Sequence, residues 1–346
     1  MNYPKKWPLV SIIIPCFNGM KYLPICLPTI SALDYPETEV IAIDDASSDE
    51  TVNFIKKNYP QFRLISREEN RGLVASFNEG FSVSRGKYVF FVNQDTVHSS
   101  DYLKKCVNVM ENNTEIASVT GKVCKFDFEE CKRTDIIDSV GLIMLKNRRV
   151  LDIGQGEKDI GQYELGREVF GVSGQNPVYR RVALEDILIP ITQKDSETVV
   201  ELFDSDFVWY KEEVDLAWRL KLAGWRAWCE PRALAWHGRG TLAVSRNTSM
   251  QIFSMRKKMT NSQKYHSLKN RYLMMLKNEI FSIWFSHLPI IIFYEILYFG
   301  YNLFFDFRIM GAYFETIKKI PIMLAKRKHI MRNIKVDKKQ IRKWFV

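Results

Sequence analysis

A chain of 346 residues, 46% apolar and 26% charged, can bury one large core with room for a smaller appendage, which excludes general disorder. Its net charge of +10 is unevenly spread: residues 251–346 carry nineteen Lys and Arg against five Asp and Glu, so the first 250 residues are slightly acidic and any basic contact belongs to the tail. The six cysteines (Cys16, Cys26, Cys106, Cys124, Cys131, Cys229) form no CxxC pair, which speaks against a zinc site or disulfide framework and for reduced thiols in a cytosolic compartment.

The run Leu9 to Ile14 is cut by Pro15 below the length of a signal h-region, so no export signal is expected and the run reads as a first strand. Helical spacing over Lys21 to Ala32, a strand at Glu39 to Ile43, a helix at Glu50 to Asn58, a strand at Arg63 to Ser66 and a helix at Leu73 to Ser84 then alternate. That alternation predicts an α/β fold with a mainly parallel, doubly wound sheet. Polar signatures stand at the strand ends: Pro15-Cys16-Phe17-Asn18, Asp44-Asp45-Ala46-Ser47, and Asn70-Arg71-Gly72. Such ends line one crevice in an open sheet, where Asp45 can accept from a uracil or thymine imide and Asn70 and Arg71 can meet ribose or diphosphate oxygens. Ser47 and Glu50 fit a capping box, so that part of the loop is expected simply to start a helix. A fourth strand, Lys87 to Val92, delivers Asn93-Gln94-Asp95. A carboxylate beside an amide oxygen there is shaped to hold a divalent metal, and through it a diphosphate. Neither GxGxxG nor GxxxxGK[ST] occurs, so the phosphates must be handled otherwise.

In the second half, small residues around Gly174-Gln175 allow close backbone approach to a ligand. The segment Glu212-Glu213-Val214-Asp215 opens a predicted helix that ends at Gly224, and three carboxylates in four positions exceed what a helix dipole needs. A carboxylate of this kind suits a general base, with Glu213 the choice and Asp215 either assisting or pairing with Arg219 one turn on. Trp225 to Pro231 and Ala233 to Gly238 read as two short strands, the second ending at His237.

The order of Val10 to Asn18, Asp44 to Asp49, Asn70-Arg71-Gly72, Asn93-Gln94-Asp95, the Glu212 to Asp215 helix and Trp236-His237 resembles family 2 inverting glycosyltransferases, most nearly rhamnosyltransferase-like members of bacterial polysaccharide, O-antigen and capsule pathways. The resemblance covers about residues 9–245 and implies a GT-A fold. It implies donor contacts at Pro15, Phe17, Asn18, Asp45, Asn70, Arg71, Asn93 and Asp95, and acceptor contacts at Gly174, Gln175, Glu212 and Trp218. It further implies Mg²⁺ or Mn²⁺ at Asp95 and His237, and Glu213 as base with Asp215 beside it. Two positions depart from the family pattern: Asn93 stands where the first metal-binding aspartate is usual, and Glu213 where the base is usually Asp.

The resulting expectation is a glycosyltransferase domain over residues 1–245, its nucleotide half about 1–125 and its acceptor half about 126–245. It would move a sugar from a UDP- or dTDP-linked donor to a saccharide or polyprenyl-diphosphate-linked acceptor. Residues 246–346 form a basic, apolar helical tail. Its uncharged stretch Ile280 to Tyr294 falls short of a spanning helix, so the expected partner is an anionic membrane surface on the cytoplasmic face, with no nucleic acid; a buried hairpin is the alternative. Gly238 to Thr241, with Arg239, could close over the diphosphate. Competing functions are a nucleotidyltransferase on the same fold and a non-catalytic sugar-binding scaffold.

Overall fold

The structure, a computed structural model, describes residues 6–192, 198–238, 256 and 259–346. The first half follows the expected alternation: β1 (Val10–Cys16), α1 (Leu23–Ser31), β2 (Thr38–Asp44), α2 (Thr51–Asn58), β3 (Arg63–Ser66), α3 (Leu73–Val83) and β4 (Tyr88–Phe91). Strands β3, β2, β1 and β4 lie side by side and parallel. The central strands β1 and β4 are buried along their whole length because both faces are covered. Ile12, Ile14, Tyr88 and Phe90 enter one core with α1 and α4 (Tyr102–Glu111), whereas Ile13, Val89 and Phe91 enter the other with α3.

Beyond β4 the sheet is mixed rather than parallel. Strands β5 (Thr96–His98), β6 (Ile116–Asp127), β7 (Lys132–Ser139), β8 (Leu142–Met144), β9 (Val150–Asp152), β10 (Arg167–Val169) and β11 (Val178–Arg180) precede the short α5 (Arg181–Glu185). A hairpin of β12 (Ile189–Thr192) and β13 (Thr198–Glu201), then α6 (Glu212–Leu222) and β14 (Arg226–His237), complete this half. The ten-stranded sheet runs β10-β14-β6-β11-β4-β1-β2-β3, with β5 paired to β14 and β7 to β6 off this path, and with β11 antiparallel to both β4 and β6. The two strands expected over 225–238 are one, because Pro231 falls in an irregularity of register between Glu230 and Leu234 that the strand passes through.

The tail is helical: α7 (Asn261–Asn278), α8 (Phe281–Ser286), α9 (Leu288–Phe305), α10 (Gly311–Arg332) and α11 (Lys338–Arg342). It is no detached appendage. Leu273, Met274, Met323, Ile330 and Phe345 pack into the same core as α6, and Phe345 meets the Trp218 ring edge-on at 5.7 Å. That core also encloses charge. Asp215 accepts from Arg219 Nε (3.0 Å) and Asn278 Nδ2 (2.7 Å) and lies 3.0 Å from Lys277 Nζ. Lys277 also pairs with Asp204, and Lys326 Nζ from α10 reaches Asp204 at 2.5 Å and Asp206 at 2.9 Å.

Helix α9 lies against the protein along one narrow stripe. Ile291 and Asn302 are its buried residues, and Glu295 between them binds Arg271 (2.7 Å) and the Tyr272 hydroxyl. These positions follow helical spacing, so the acidic residue that interrupts the apolar run faces α7. Away from that stripe Phe293, Ile296 and Phe304 are between 66% and 78% exposed, and Phe285 of α8 and Phe314 of α10 are similarly bare. The buried-hairpin alternative is therefore excluded, and α9 reaches a length and mean hydropathy (1.5 over 18 residues) compatible with a membrane span, longer than the uncharged stretch implied.

Because Lys277 is fully buried between two carboxylates, Lys277→Ala leaves uncompensated buried charge and should cost about 3–5 kcal/mol, read as a lowered urea midpoint. Burial opposes ionisation of Asp204, but Lys277 and Lys326 outweigh it and hold its carboxyl far below the usual range. Its contribution is thus present above its ordinary value near 3.8 and lost as pH falls below it, a loss that Asp204→Asn should remove.

Candidate active site

A cavity of about 700 Å³ opens at the carboxyl ends of β1, β2 and β4. Pro15 near the end of β1 and Phe17 just after it line the cavity, with Asp45 after β2, Asn70 and Gly72 before α3, and Asn93 to Asp95 after β4. Gln94 joins two of these segments: its side-chain oxygen accepts from Phe17 N (3.0 Å) and its amide donates to Phe17 O (3.1 Å). Asn18 has another task. Its backbone N–H donates to Ser47 Oγ (2.9 Å) and its side chain accepts from Ser48 N (2.8 Å), tying the two loops together beside the cavity rather than lining it. The expected Ser47–Glu50 capping box is not made, since Ser47 Oγ is taken by Asn18 and Glu50 is itself the N-cap residue.

Asp45 is almost fully buried and held from three directions. Arg67 Nη1 (2.8 Å) and Arg71 N (2.9 Å) donate to Oδ1, and Gly72 N (2.7 Å) donates to Oδ2. Arg71 thus contributes its backbone here, while its side chain is exposed. Gly72 permits this turn at φ +84°, a conformation that costs other residues. Arg67 had no signal in the sequence beyond its place after a strand; it is anchored in turn by Glu79 through Nε at 2.8 Å.

Asp95 and His237 meet because β5 pairs antiparallel with the end of β14, setting His237 opposite Thr96. His237 Nε2 lies 3.3 Å from Asp95 Oδ2, and its Nδ1 lies 2.9 Å from Asp138 Oδ2, a buried carboxylate on β7 that the sequence did not single out. Burial disfavours the charged imidazole, but the two carboxylates outweigh it and raise its pKa to about 9. Burial likewise opposes ionisation of Asp95, and His237 brings it below the ordinary value. The donor set fits a divalent cation: a carboxylate oxygen and an imidazole nitrogen converge, and the neighbouring Asn93 Oδ1 is buried with no hydrogen-bond partner among the described residues. No group of three His, Cys, Asp or Glu suited to a metal occurs among the described residues, so such an ion would complete its shell with ligand or water oxygens.

At the start of α6 the two glutamates separate. Glu212 is buried, and its Oε2 has no hydrogen-bond partner among the described residues; burial and then the neighbouring Glu213 push its pKa up. Glu213 is half-buried and packs over Gly174, where a Cβ would come within 3.2 Å of its own Cβ. Two of the expected residues lie in the core, away from the cavity. Asp215 is held there by Arg219, Lys277 and Asn278. Trp218 is 1% exposed and packs on Phe345, because α6 is buried on nearly every side and offers no free face to an acceptor. Gln175 is also buried, its amide 3.4 Å from Asp138 and its carbonyl accepting from Asn93 N (2.9 Å). Residues Arg239, Gly240 and Thr241, expected as a lid, lie outside the described residues.

Strand-end carboxylates around a nucleotide-sized crevice, on a sheet that turns from parallel to mixed, define the GT-A class of transferase. The chain belongs to glycosyl transferase family 2, whose model matches residues 11–188. It is 26% identical over 234 residues to the poly-β-1,6-N-acetyl-D-glucosamine synthase of Staphylococcus epidermidis, and 24% identical over 230 residues to the S. aureus protein of that name. Each alignment covers 66% of this chain, and the chain spans about half the length of these relatives. Among solved structures, S. aureus TarS 1–349 superposes with a TM-score of 0.51 at 14% identity, covering 94% of this chain and 83% of that one. GalNAc-T7 with UDP, GalNAc and Mn²⁺ gives 0.56 at 12% identity, covering 80% and 49%. These likenesses establish the GT-A fold.

Since the fold favours protonated Glu212, wild-type stability should decline as pH rises from its ordinary value near 4.5 toward neutrality and beyond. Glu212→Gln removes that slope. Its melting temperature minus that of wild type should therefore grow between pH 5 and pH 8.

Proposed function

We propose that this chain is an inverting, nucleotide-sugar-dependent glycosyltransferase of cell-surface polysaccharide synthesis, working against the cytoplasmic face of a membrane. The observation that carries the reading is the convergence of Asp95 and His237 beside a cavity that also presents Asp45 and Asn70. The family model supports the reaction class, and the relatives' names support polysaccharide as the product.

In this reading Asp45, already oriented by Arg67 and the 71–72 backbone, receives a pyrimidine imide, and Asn70 meets the ribose. Asp95 and His237, with Asn93 adjacent, would hold Mg²⁺ or Mn²⁺, which when bound supplies charge neutralisation to a departing diphosphate. Asp138 fixes the His237 ring through Nδ1 so that Nε2 faces the cation position. Glu213 takes the proton from the acceptor hydroxyl as its oxygen attacks the anomeric carbon, and the configuration inverts. Burial, with Glu213 beside it, raises the pKa of the Glu212 carboxyl, which lies one position before the base. Gly174, beneath Glu213, and Gln175 belong to the acceptor side. Because the relatives are named for N-acetylglucosamine and one TarS structure is a complex with UDP-GlcNAc, UDP-N-acetylhexosamines come before dTDP-rhamnose as donors to test. An acceptor on a polyprenyl diphosphate would suit the membrane setting.

The apolar side chains bared on α8, α9 and α10, together with the basic excess of residues 251–346, support insertion into an anionic leaflet. One stripe of α9 remains tied to α7 through Glu295 and Arg271.

Glu213→Gln should abolish transfer by about 10²–10⁴-fold while the Kd for UDP stays within twofold; unchanged transfer would remove Glu213 as base. Asp95→Ala should eliminate the difference in UDP affinity between Mn²⁺ and EDTA in calorimetric titration. Phe293→Glu combined with Phe304→Glu should release the protein from phosphatidylglycerol vesicles in a flotation assay, with its melting temperature retained.

A further inference from the structure

Between Phe207 and the base helix the backbone is strained. Val208, Tyr210 and Lys211 have φ of +65°, +68° and +69°, left-handed values that cost residues other than glycine, and a β-branched residue most of all. The segment nonetheless has a defined place: Val208 and Trp209 line the donor cavity, and Lys211 is the N-cap residue of α6, two positions before Glu213. Strain of this kind persists only where surrounding contacts over-determine the conformation.

Those contacts come from the tail. Asn270 of α7 is fully buried, and its side-chain amide donates to three carbonyls in turn, Phe207 O (2.9 Å), Trp209 O (2.7 Å) and Tyr210 O (2.7 Å). The NH₂ group has two hydrogens for these three carbonyl oxygens, so one bond is shared; the amide nitrogen must face them, and neither Asp nor Leu supplies such donors. One helical turn away on the same helix, His266 lies beside the Trp209 ring at 6.1 Å. Lys269 donates to Asp206 O (2.7 Å), and Gln263 itself lines the cavity. On the opposite side Val74 N donates to Val208 O (3.2 Å), joining the loop to α3 and the nucleotide half.

We infer that Asn270 is a positioning residue for the transfer reaction: it holds the left-handed 208–211 segment so that one span of chain sets both the cavity wall at Val208 and Trp209 and the placement of Glu213. The inference rests on Glu213 being the base, and Glu213→Gln tests that assumption independently. The tail thereby takes part in the catalytic apparatus through α7, while its bared apolar side chains lie on α8, α9 and α10. Asn270 touches no substrate and acts through the loop.

The experiment is a double-mutant cycle on the full chain, measuring UDP affinity, KM and kcat for UDP-sugar turnover, and melting temperature. Asn270→Ala is expected to lower kcat by about tenfold or more and weaken UDP binding severalfold. Glycine accepts positive φ without strain, so Tyr210→Gly alone should be mild, and Asn270→Ala with Tyr210→Gly should recover a substantial part of kcat. Asn270→Asp, which loses the donors but keeps the shape, should behave like Asn270→Ala. A fall in melting temperature with kcat and UDP affinity unchanged would overturn the proposal, leaving Asn270 a purely structural residue. Additive effects in the cycle would overturn it equally, because the loop strain would then be independent of the clamp. Should Asn270→Ala fail to fold, Asn270→Ser, which retains one donor, takes its place under the same criteria.

Discussion

Four buried charges carry the junction on which this molecule depends. Asp204 and Asp215 from the catalytic half enclose Lys277 of α7, and Lys326 of α10 closes the set from the far side. Each ion taken alone would be costly to bury; together they satisfy one another only in a single arrangement of α6, α7 and α10. Apolar packing of Trp218, Leu273, Met323 and Phe345 could tolerate small shifts between these helices, whereas the ion pairs cannot. The register of α6 against the tail is therefore set by electrostatics, and hydrophobic burial supplies most of the driving force around it.

The catalytic half uses the opposite arrangement. Around the cavity the polar groups come from loops, and each is held by another loop: Asp45 by the 71–72 backbone, Phe17 by Gln94, Asn18 by Ser47 and Ser48. The strands deliver these loops to one edge because β1 to β4 run parallel, and β11 lies antiparallel beside β4 and secures the far margin. Through it, the Asn93 backbone N–H is bonded to the Gln175 backbone carbonyl, so the 93–95 and 174–175 segments share a rigid border.

Much of this was legible in the residues. The parallel strands and their helices follow from periodicity, and the strand-end signatures gathered as the topology requires. Asp95 and His237 are 142 positions apart, and their meeting was expressed only by resemblance to a family; the β5–β14 pairing is its physical cause. Side chains that act at long range left no local trace. Arg67, Asp138 and Asn270 are an arginine, an aspartate and an asparagine among many, distinguished by partners that the chain order conceals. Asp215 and Trp218 lie in the core for a related reason: they are near Glu213 in sequence, but a helix buried on nearly every side points most of its residues away from the cavity. The apolar run of the tail was read as too short because Glu295 breaks it, and the break disappears once that carboxylate is turned inward to Arg271.

The inward turn of Glu295 has a bearing on how the protein could be handled and how it could evolve. A membrane anchor on a free linker can be trimmed, swapped or lost without consequence for the enzyme it tethers. Here the greasy helix is latched to α7, and α7 contributes Gln263 to the cavity wall. The bared apolar helix and the cavity wall belong to one packed unit, so exchange of this tail for another would have to carry Gln263 of the cavity wall along with it.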